Sequence, residues 1–440
     1  MLDIKFIREN VDAIKKAVKN KQLSVDIDAL LEVDKKRIEL LQEVEEFNRL
    51  RNELNDKIKS ASSADERSLF IEQGKEIKDK SAEAEFKFKE ITQKFDEFMI
   101  QVPTIPSDDT PIGTSDKDNV EINVWGEKPQ FTYPIKDHIQ LGKDLDILDL
   151  ERGAKVAGYR GYYLKNEGAR LVMALMMYAI NKMVAKGYQF MIPPTLIKQY
   201  ALFGSGYFKG LQYDPEVDEI YKVATNEKEA DGNYSGESKF LVGTAEPSLL
   251  AYYSGETLKE ADLPMKLCGY SQCYRSEIGS YGKDTKGMYR VHEFMKVEKV
   301  ILAPADIELA NRLQLEMVEV SKEMHEELGL PYRQLAISTG DMSAGKYKMF
   351  DIEAWLPGMD RYGETGSASN FLDWQSRRLD VKYETSTGEK KFVYMLNNTA
   401  LPSPRIFIAI LENYQQVDGS VKIPEVLIPY TGFDAIAAKN

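Results

Sequence analysis

Apolar residues in the N-terminal part of the chain recur at helical spacing. Residues 4–20 place apolar side chains three or four positions apart, which predicts a short amphipathic helix. A longer helical pattern with dense charge follows from residue 26 and stops at a serine- and alanine-rich stretch, 60–65. The return segment has apolar residues every seven positions, at Phe70, Ile77, Ala84, Ile91 and Phe98, as a narrow seam between two helices requires. The pattern predicts an antiparallel helical hairpin over 26–101.

The pattern alone leaves the role of this hairpin open. A dimerisation or spacer coiled coil is the commoner use of such a seam. Binding of a charged partner is the alternative, and it needs basic residues on the outer faces. Candidates, interspersed with many acids, are Lys35, Lys36, Arg37, Arg49, Arg51, Lys57, Lys59, Lys78, Lys80, Lys87 and Lys89. The next segment, 102–118, is rich in proline and polar residues and predicts a linker.

The pattern changes after the linker. From residue 119 to residue 440, short β-branched or aromatic runs alternate with helical segments, which predicts an α+β domain built on an antiparallel sheet. Residues 168–186 form an apolar helical run that is followed by a short strand and a double proline. The glycine-rich segment 204–210 lacks the spacing and the Lys-Ser/Thr ending of a Walker loop, so it predicts a turn.

The most informative local pattern lies at 273–298. Apolar and aromatic residues flank a basic, glycine-rich centre, which predicts two antiparallel strands joined by a long loop. Arg275 and Arg290 lie near this loop, and a guanidinium there can donate two hydrogen bonds to one phosphate. The pattern indicates a nucleotide site. An ordinary hairpin, with the arginines paired to Glu277 and Glu293, fits the spacing equally well.

Composition narrows the functional classes. A chain of 440 residues with 43% hydrophobic content buries a substantial core and favours two or three domains. The N-terminus lacks the apolar core of a signal peptide and no run of about eighteen apolar residues occurs, so we expect a cytoplasmic protein without a membrane span. Cys268 and Cys273 are too few for a disulfide framework or a four-ligand zinc site. The net charge of −13 restricts any RNA contact to a local basic surface.

Several segments resemble a known family. Tyr274-Arg-Ser-Glu-Ile-Gly279 and His292-Glu-Phe-Met-Lys-Val-Glu298 are similar to motif 2 of the class II aminoacyl-tRNA synthetases, in the form found in the seryl-tRNA synthetase family. Segment 168–194 resembles motif 1, the dimer-interface element, and segment 393–415 resembles motif 3. The opening residues 1–10 and the segments 137–143 and 155–161 are also similar to the seryl family. The resemblance covers essentially the whole chain.

The resemblance implies a fold and a function. The fold is an N-terminal helical coiled-coil arm, which holds the long variable arm of the tRNA, joined to a class II antiparallel-sheet catalytic domain. The implied domains are 1–101 for tRNA binding, 102–118 as linker and 119–440 for catalysis. The implied activity is that of a homodimeric ATP-dependent ligase with Mg²⁺, which converts L-serine to seryl-adenylate and transfers it to the 3′ end of tRNA(Ser).

The resemblance also implies site residues. Arg275 holds the α-phosphate and the substrate carboxylate, Arg405 holds the γ-phosphate, and Glu277 faces the adenine. The ATP residues are Arg275, Ser276, Glu277, Val291, Glu364, Thr365, Gly366, Ser367 and Arg405, of which Glu364 and Ser367 also bind Mg²⁺. The serine residues are Thr244, Ala245, Glu246, Arg275, Glu298, Asn397 and Thr399. Asp351 and Glu353 are ordinary strand residues in this assignment, and the loop 279–289 meets the acceptor end of the tRNA.

One segment departs from the family pattern. Glycines that we expect in motif 3 are replaced by Ala400, Pro402, Ser403 and Pro404, which puts the backbone geometry there in question. Two alternatives remain open: a synthetase-like paralogue that binds RNA or protein without catalysis, and a class II enzyme for another small amino acid. The intact arginine and glutamate positions favour the enzyme.

Overall fold

The chain divides into two compact units. The computed structural model describes residues 1–224, 228, 232–233, 238–278 and 286–439. The smaller unit contains residues 2–19 and 23–102, and the larger unit contains residue 1, residues 20–22 and residues 103–440. The linker at 102–118 stays a prediction.

Four helices form the smaller unit, every residue of which is described. They are α1 (Ile4–Glu9), α2 (Val11–Asn20), α3 (Ile27–Ser60) and α4 (Ala64–Met99). The two long helices contain 34 and 36 residues, so each extends roughly 50 Å at 1.5 Å per residue. A three-residue link reverses the chain between them, and the predicted helical hairpin is confirmed.

The ends and the seam of this hairpin follow from the sequence. The Asp26 side chain accepts hydrogen bonds from the first backbone N–H groups of α3, and Ser63 accepts one from Glu66 in the first turn of α4. Ala84 is buried in the seam. Asp34 is also buried, and Arg8 and Arg37 both pair with its carboxylate.

The larger unit combines short helices with many strands. Its described helices are α5 (His138–Asp144), α6 (Leu150–Ala157), α7 (Asn166–Ala185), α8 (Gln199–Ser205), α9 (Glu246–Ala251), α10 (Ile307–Glu327), α11 (Trp374–Leu379), α12 (Ser403–Asn413) and α13 (Ile428–Thr431). Its described strands are β1 (Val120–Trp125), β2 (Leu148–Asp149), β3 (Tyr163–Leu164), β4 (Gln189–Met191), β5 (Leu196–Lys198), β6 (Lys222–Val223), β7 (Lys239–Leu241), β8 (Thr257–Lys259), β9 (Met265–Tyr274), β10 (Glu293–Ala303), β11 (Tyr332–Ala336), β12 (Lys348–Leu356), β13 (Arg361–Asn370), β14 (Lys382–Glu384), β15 (Lys390–Phe392), β16 (Tyr394–Pro402), β17 (Val421–Lys422) and β18 (Ala435–Ile436).

One large sheet organises this unit. Among the described residues it has eight strands in the order β1-β11-β12-β13-β16-β10-β9-β4. Its neighbours pair antiparallel except β4 and β9, which pair parallel. The predicted α+β class with an antiparallel sheet is confirmed, as is the hairpin of the 273–298 stretch, whose strands are β9 and β10.

Side-chain alternation along β10 separates a packing face from a polar face. Val297 and Ile301 belong to the main hydrophobic core, with residues of α7, α10 and α12. Lys296 and Glu298 point to the opposite face, because neighbouring side chains in a strand alternate. The polar face of β10 therefore marks where a polar site is built.

Helix α7 bears on the expectation that the chain has no membrane span. Within the described residues it is the helix whose length and composition would allow it to cross a membrane, since an 18-residue window reaches a mean hydropathy of 1.2. Half of that window is buried inside the protein. Its exposed apolar residues Met173, Met177 and Val184 lie at helical spacing, on one side of the helix.

The glycine-rich segment 204–210 is not simply a turn. Gly204 lies within α8, where a Cβ would approach Leu379 to 2.1 Å, so glycine is required for packing. Gly206 follows with φ 89° and ends the helix in the left-handed conformation. The turn prediction is wrong for the first two residues and holds from Gly206.

Candidate active site

A β-bulge in β13 places two predicted ATP residues on one face. The pairing with β12 shifts by one residue at Thr365, between Glu364 and Gly366. In a regular strand, residues three apart point to opposite faces. The extra residue resets the alternation, so Glu364 and Ser367 lie on the same face of the sheet, and Ser367 is opposite Asp351.

A second bulge occurs in β16, within the predicted motif 3. The pairing with β10 shifts at Ala400. Thr399 lies opposite Glu298, and Pro402 lies opposite Lys296. The extra residue therefore brings Thr399 and Pro402, which are three apart, to the polar face of β10.

The substituted motif 3 segment makes a regular helix start. Positive φ angles occur at none of residues 400–404, all of which are described, so glycine is not needed there. Pro404 lies in the first turn of α12, where proline is favourable because its missing N–H would have no helical partner. Ser403 accepts a hydrogen bond from the backbone N–H of Met295 at 3.0 Å. Arg405 then occupies the third position of α12.

A solvent-open cleft of about 490 Å³ lies against these strands and α12. Eight predicted site residues line it: Arg275, Glu277, Val291, Glu364, Thr365, Gly366, Thr399 and Arg405. Arg290, which the strand-loop-strand pattern indicated as a phosphate candidate, lines it as well, and five lining residues were not predicted to bind a substrate: Tyr289, Phe294, Lys296, Pro402 and Pro404. Seven predicted residues lie outside the lining: Thr244, Ala245, Glu246, Ser276, Glu298, Ser367 and Asn397.

Arg405 and Glu364 form an ion pair inside the cleft. The Nη1 group of Arg405 donates to the backbone oxygen of Glu364 at 2.8 Å and to its Oε2 at 3.1 Å. Burial opposes the ionised form of Glu364, but Arg405 and Arg275 outweigh it and lower its pKa. The Glu364 side chain is 45% exposed, so a ligand in the cleft can contact it.

Two further charged residues stand where β9 leads into the loop. Arg275 follows β9 directly, and its Nε donates to the carbonyl oxygen of Gly243 at 3.4 Å. Glu277 has a φ of 56°, which is uncommon outside glycine. Its carboxylate lies 3.3 Å from Arg160 and 3.4 Å from Arg290. These two arginines hold the strained residue in place.

Buried oxygens beside Glu364 suit a divalent cation. Ser367 Oγ and Asp351 Oδ1 are buried and, apart from the interaction of their two side chains with each other, have no hydrogen-bond partner within the described residues. Burial, and then the charge of Glu364, raise the pKa of Asp351. Orphaned hard oxygens next to an ionised carboxylate are donors that Mg²⁺ accepts. Asp351, which we assigned as an ordinary strand residue, lies opposite Ser367 on the same face of the sheet as Glu364.

Glu298 forms the centre of a buried polar cluster. Its Oε2 accepts hydrogen bonds from Thr244 Oγ1 at 2.9 Å and from Thr399 Oγ1 at 3.3 Å. Lys296 Nζ lies 2.5 Å from the same oxygen. A carboxylate offers about four acceptor positions, so Glu298 retains capacity for a further hydroxyl donor.

Glu246 lies beside this cluster. It is the first residue of α9 and is buried. Its Oε1 accepts from Gln375 at 2.8 Å and from Asn397 at 2.7 Å, and its Oε2 accepts from Tyr207 at 3.2 Å. Burial and the neighbouring Glu298 raise the pKa of Glu246 to about 7.

The remaining predicted residues have varied positions. Ser276 has a buried hydroxyl with no partner among the described residues. Ala245 is fully buried immediately before α9. The Thr365 hydroxyl lies 2.7 Å from Nε2 of buried His325. Residues 279–285 of the predicted tRNA loop lie outside the described residues.

A sequence pattern could have identified only some of the site residues that we did not predict. Counting back from Glu298 by two, the period of a strand, identifies Lys296. Asp351, Tyr207 and Gln375 come from segments without a recognised motif, and only the folded chain brings them to the site. No local pattern could have identified them.

The two units match known families. Residues 221–414 match the class II core domain of the tRNA synthetases for G, H, P, S and T, and residues 1–106 match the seryl-tRNA synthetase N-terminal domain. The serine–tRNA ligase of Treponema denticola is 40% identical over 440 residues, which cover 99% of this chain and 100% of the relative. The catalytic unit is thus a class II aminoacyl-tRNA synthetase core.

Solved structures agree over the full length. The seryl-tRNA synthetase from Pyrococcus horikoshii complexed with ATP has a TM-score of 0.86 and 33% identity, with 100% of both chains covered. The cytoplasmic serine–tRNA ligase from Naegleria fowleri in complex with AMP has a TM-score of 0.83 and 29% identity, with 100% of this chain and 99% of the other covered. This chain belongs to the seryl-tRNA synthetase family.

Proposed function

We propose that this chain is an ATP-dependent serine–tRNA ligase. The serine carboxylate attacks the α-phosphorus of ATP and gives seryl-adenylate and pyrophosphate, and the terminal ribose hydroxyl of tRNA(Ser) then takes the seryl group and releases AMP. One observation carries the proposal: the cleft with Arg275, Arg405 and Glu364 adjoins a buried cluster in which the Glu298 carboxylate, held by Thr244 and Thr399, keeps acceptor capacity for a hydroxyl. Full-length similarity to serine–tRNA ligases supports it.

The arginines align ATP and stabilise developing charge. Arg275 contacts the α-phosphate and the serine carboxylate, and it strengthens these bonds as negative charge builds during attack. Arg405 holds the γ-phosphate, and its ion pair with Glu364 orients the guanidinium before ATP binds. Glu277 faces the adenine, with Ser276, Val291, Thr365 and Gly366 beside the nucleotide. No covalent nucleophile is needed, since alignment and charge stabilisation suffice.

The fit of the oxygens supports a Mg²⁺ site. Glu364 and Ser367 would hold the ion together with ATP phosphate oxygens, and Asp351 stands close enough to the pair to join them. Bound Mg²⁺ would neutralise phosphate charge. The protein residues orient those phosphates through Arg405 and keep Glu364 ionised.

The buried cluster recognises serine. Glu246 and Thr244 receive the ammonium group, with Ala245 forming the wall between them and Asn397 holding the Glu246 carboxylate. Glu298 and Thr399 bind the hydroxyl. Because Thr244 and Thr399 both donate to Glu298, the ammonium and hydroxyl parts of the pocket are joined through one carboxylate.

The helical hairpin binds tRNA in this proposal. Ten of the eleven basic candidates on α3 and α4 are exposed, whereas Arg37 pairs with Asp34 and lies over the ring of Phe95. Some of the exposed ones already contact acids, as Arg49 does with Glu46. In this proposal, phosphate contacts come from these exposed basic side chains rather than from the net charge of the protein, which is negative.

We also propose a cytoplasmic homodimer. The exposed apolar stripe of α7, formed by Met173, Met177 and Val184, belongs to the segment that resembles the dimer-interface motif. Apolar residues in a stripe of this kind favour burial against a partner. The same stripe accounts for part of the hydropathy of α7.

Serine-dependent exchange of pyrophosphate into ATP tests the proposal directly, since it reports adenylate formation without tRNA. We expect exchange with serine to exceed exchange with alanine or threonine by a wide margin. Preference for another small amino acid would support the second enzyme alternative. Absence of exchange with every amino acid, in a protein that still binds tRNA, would support the non-catalytic paralogue.

A further inference from the structure

Helix α10 packs against the main sheet with a line of polar groups. Gln314, Ser321 and His325 lie at helical spacing on its sheet-facing side, and all three are buried. Gln314 donates to the carbonyl oxygens of Lys348 and Ala368 in β12 and β13 at 3.0 and 3.1 Å. Buried polar groups of this kind are stable only when they are hydrogen-bonded, so the line fixes the helix to particular strands.

Ser321 links two strands of the serine cluster. The ammonium of Lys299, a fully buried residue of β10, donates to the carbonyl oxygen of Met317 at 2.7 Å and to Ser321 Oγ at 3.0 Å. Ser321 Oγ then donates to Asn398 Oδ1 in β16 at 2.9 Å. The hydroxyl of Ser321 thereby joins the backs of β10 and β16.

His325 contacts the bulge of β13. Its Nδ1 lies 2.7 Å from the carbonyl oxygen of Ser321, which can only accept, so Nδ1 carries the proton. Burial lowers the pKa of His325 to about 4, and the neutral ring therefore accepts through Nε2. The Thr365 hydroxyl, 2.7 Å away, is the donor, and its single proton goes to His325 rather than to the carbonyl oxygen of Ile352, which lies 3.1 Å from the same hydroxyl. Thr365 is the extra residue that sets the face of Glu364.

Each strand residue whose side chain hydrogen-bonds to the polar side of α10 is next in the chain to a residue that we propose contacts ATP or serine on the other face of the sheet. The neighbouring pairs are Lys299 with Glu298, Asn398 with Thr399, and Thr365 with Glu364. Because side chains alternate, a contact behind the sheet fixes the strand at the position where the site residue projects forward. The hydrogen bonds of α10 thus act on both substrate subsites.

We propose that the buried polar side of α10 positions the active site in two separable halves. His325, through Thr365, sets Glu364 and the ATP half. Lys299, with Ser321, sets Glu298 and Thr399 and thereby the serine half. His325, Ser321 and Lys299 touch no substrate in the proposed function, so these three are positioning residues, whereas Thr365 itself lines the cleft. The inference rests on the proposed function, because it assigns the two halves to ATP and serine.

The ATP half is tested with His325→Leu and Thr365→Val in pyrophosphate exchange. We expect the KM for ATP to rise about tenfold in each variant, as for other partners that orient a ligand-binding side chain, with the KM for serine unchanged. The double variant should show no larger shift than Thr365→Val alone, because both substitutions remove the hydrogen bond between His325 and Thr365, and Thr365→Val already removes the contact with the Ile352 carbonyl oxygen. His325→Gln, which keeps an acceptor for Thr365, should recover most of the loss.

The serine half is tested with Lys299→Met, which keeps the length of the side chain and removes its donors. We expect the KM for serine to rise about tenfold and the KM for ATP to stay unchanged. Thr431→Val is the matched control: Thr431 is a buried threonine whose hydroxyl hydrogen-bonds to Leu427 and Phe433 backbone oxygens. It should alter the melting temperature without altering either KM.

Two outcomes would contradict the positioning role of α10. If His325→Leu, Thr365→Val and Lys299→Met only lower the melting temperature, as Thr431→Val does, or change both KM values together, α10 is a packing helix and the inference is overturned. If His325→Leu does not fold, Thr365→Val and His325→Gln decide the question. The parent protein separates the two claims: without serine-dependent exchange in the parent, the proposed function itself fails.

Discussion

Glu246 combines a buried carboxyl with three neutral donors. Tyr207, Gln375 and Asn397 orient it, but none supplies a positive charge. Neutral donors only partly offset burial, so the carboxyl is half protonated near neutral pH, in line with its raised pKa of about 7. An ammonium ion would supply the missing charge and favour the carboxylate.

This charge balance predicts a pH dependence of serine use. The free protein must lose the Glu246 proton before it binds the ammonium group, so kcat/KM for serine should fall about tenfold per pH unit below pH 7 and level off above it. Tyr207→Phe removes a donor to the carboxylate, which raises the pKa and moves the bend to higher pH. Exchange rates measured from pH 5.5 to 9 for both proteins check this. A bend at the same pH in both would show that Glu246 is not the titrating group.

Glu298 should determine the preference for serine over alanine. A pocket that hydrogen-bonds a hydroxyl leaves its own groups unpaired when alanine binds, a penalty that reaches roughly 10⁴-fold. Glu298→Ala should reduce the serine-to-alanine ratio of kcat/KM by about 100-fold or more. It also leaves Lys296 buried without its ion pair, so a lower melting temperature is expected.

Glu353→Ala is the control for Glu298→Ala, because Glu353 also loses an ion pair, with Arg333 at 2.6 Å. It should leave the serine-to-alanine ratio unchanged. A Glu298→Ala protein that loses exchange with both amino acids equally, while its KM for ATP rises, would move Glu298 out of the hydroxyl site.

At the scale of elements, the end of α8 connects packing with the serine pocket. Gly206 has φ 89° and ψ 22°, and a Cβ there would lie 2.6 Å from the Trp374 ring. The next residue, Tyr207, is the one that contacts Glu246. The left-handed turn therefore determines where the tyrosine hydroxyl lies.

Gly206→Ala should destabilise the protein and weaken serine binding together. The left-handed conformation costs alanine about 1 kcal/mol, and displacement of Trp374 brings the total loss to about 3 kcal/mol. Gly432→Ala is the control, since Gly432 ends α13 with φ 73° and ψ 18° but faces only the end of the Arg170 side chain at 3.2 Å. It should lose about 1 kcal/mol with the KM for serine unchanged. Urea unfolding and exchange kinetics measure both effects, and equal losses in the two variants would contradict the packing argument.

The sequence predicted elements where one periodicity persists over many residues. The seven-residue repeat located α3 and α4, and the polar centre of 273–298 located β9 and β10. The bulges could not be predicted, because Thr365 and Ala400 look like ordinary strand residues in the linear sequence. Strict alternation would have placed Ser367 opposite to Glu364. The side chains Tyr207, Gln375 and Asp351 depend on tertiary contacts that no local pattern encodes.

At the scale of the whole molecule, the helical hairpin and the catalytic unit should be separable in function. The hairpin buries its seam internally, between α3 and α4, and the residues of the cleft all belong to the larger unit. Chemistry and tRNA binding then depend on different parts of the chain.

Removal of residues 26–101, with the ends rejoined, should leave serine-dependent pyrophosphate exchange within about threefold of the parent, since no cleft residue is lost. Aminoacylation of tRNA(Ser) should fall at least about 100-fold, because the phosphate contacts of the hairpin are gone. Both reactions are measured on the same preparation. A shortened protein that charges tRNA like the parent would make the hairpin a spacer.

Oligomeric state should depend on the apolar stripe of α7. Met173→Glu combined with Met177→Glu places two charges on it, and desolvation of those charges should shift a dimer to monomers, as measured by light scattering across protein concentrations. Val156→Glu, at an apolar position on α6 that is 70% exposed, is the control and should leave the mass unchanged. Monomers in the parent protein would remove the dimer proposal.

Because of the two bulges, the number of residues in β13 and β16 determines which side chains face the site. Glu364 and Ser367 share a face, and Thr399 and Pro402 share another, only because each pair encloses one extra residue. Deletion of a single residue between them would reverse the direction of every side chain on one side of the deletion, even if no functional residue were replaced. Point substitutions are therefore the smaller hazard in β13 and β16, and these strands should tolerate insertions and deletions far less than changes of side chain.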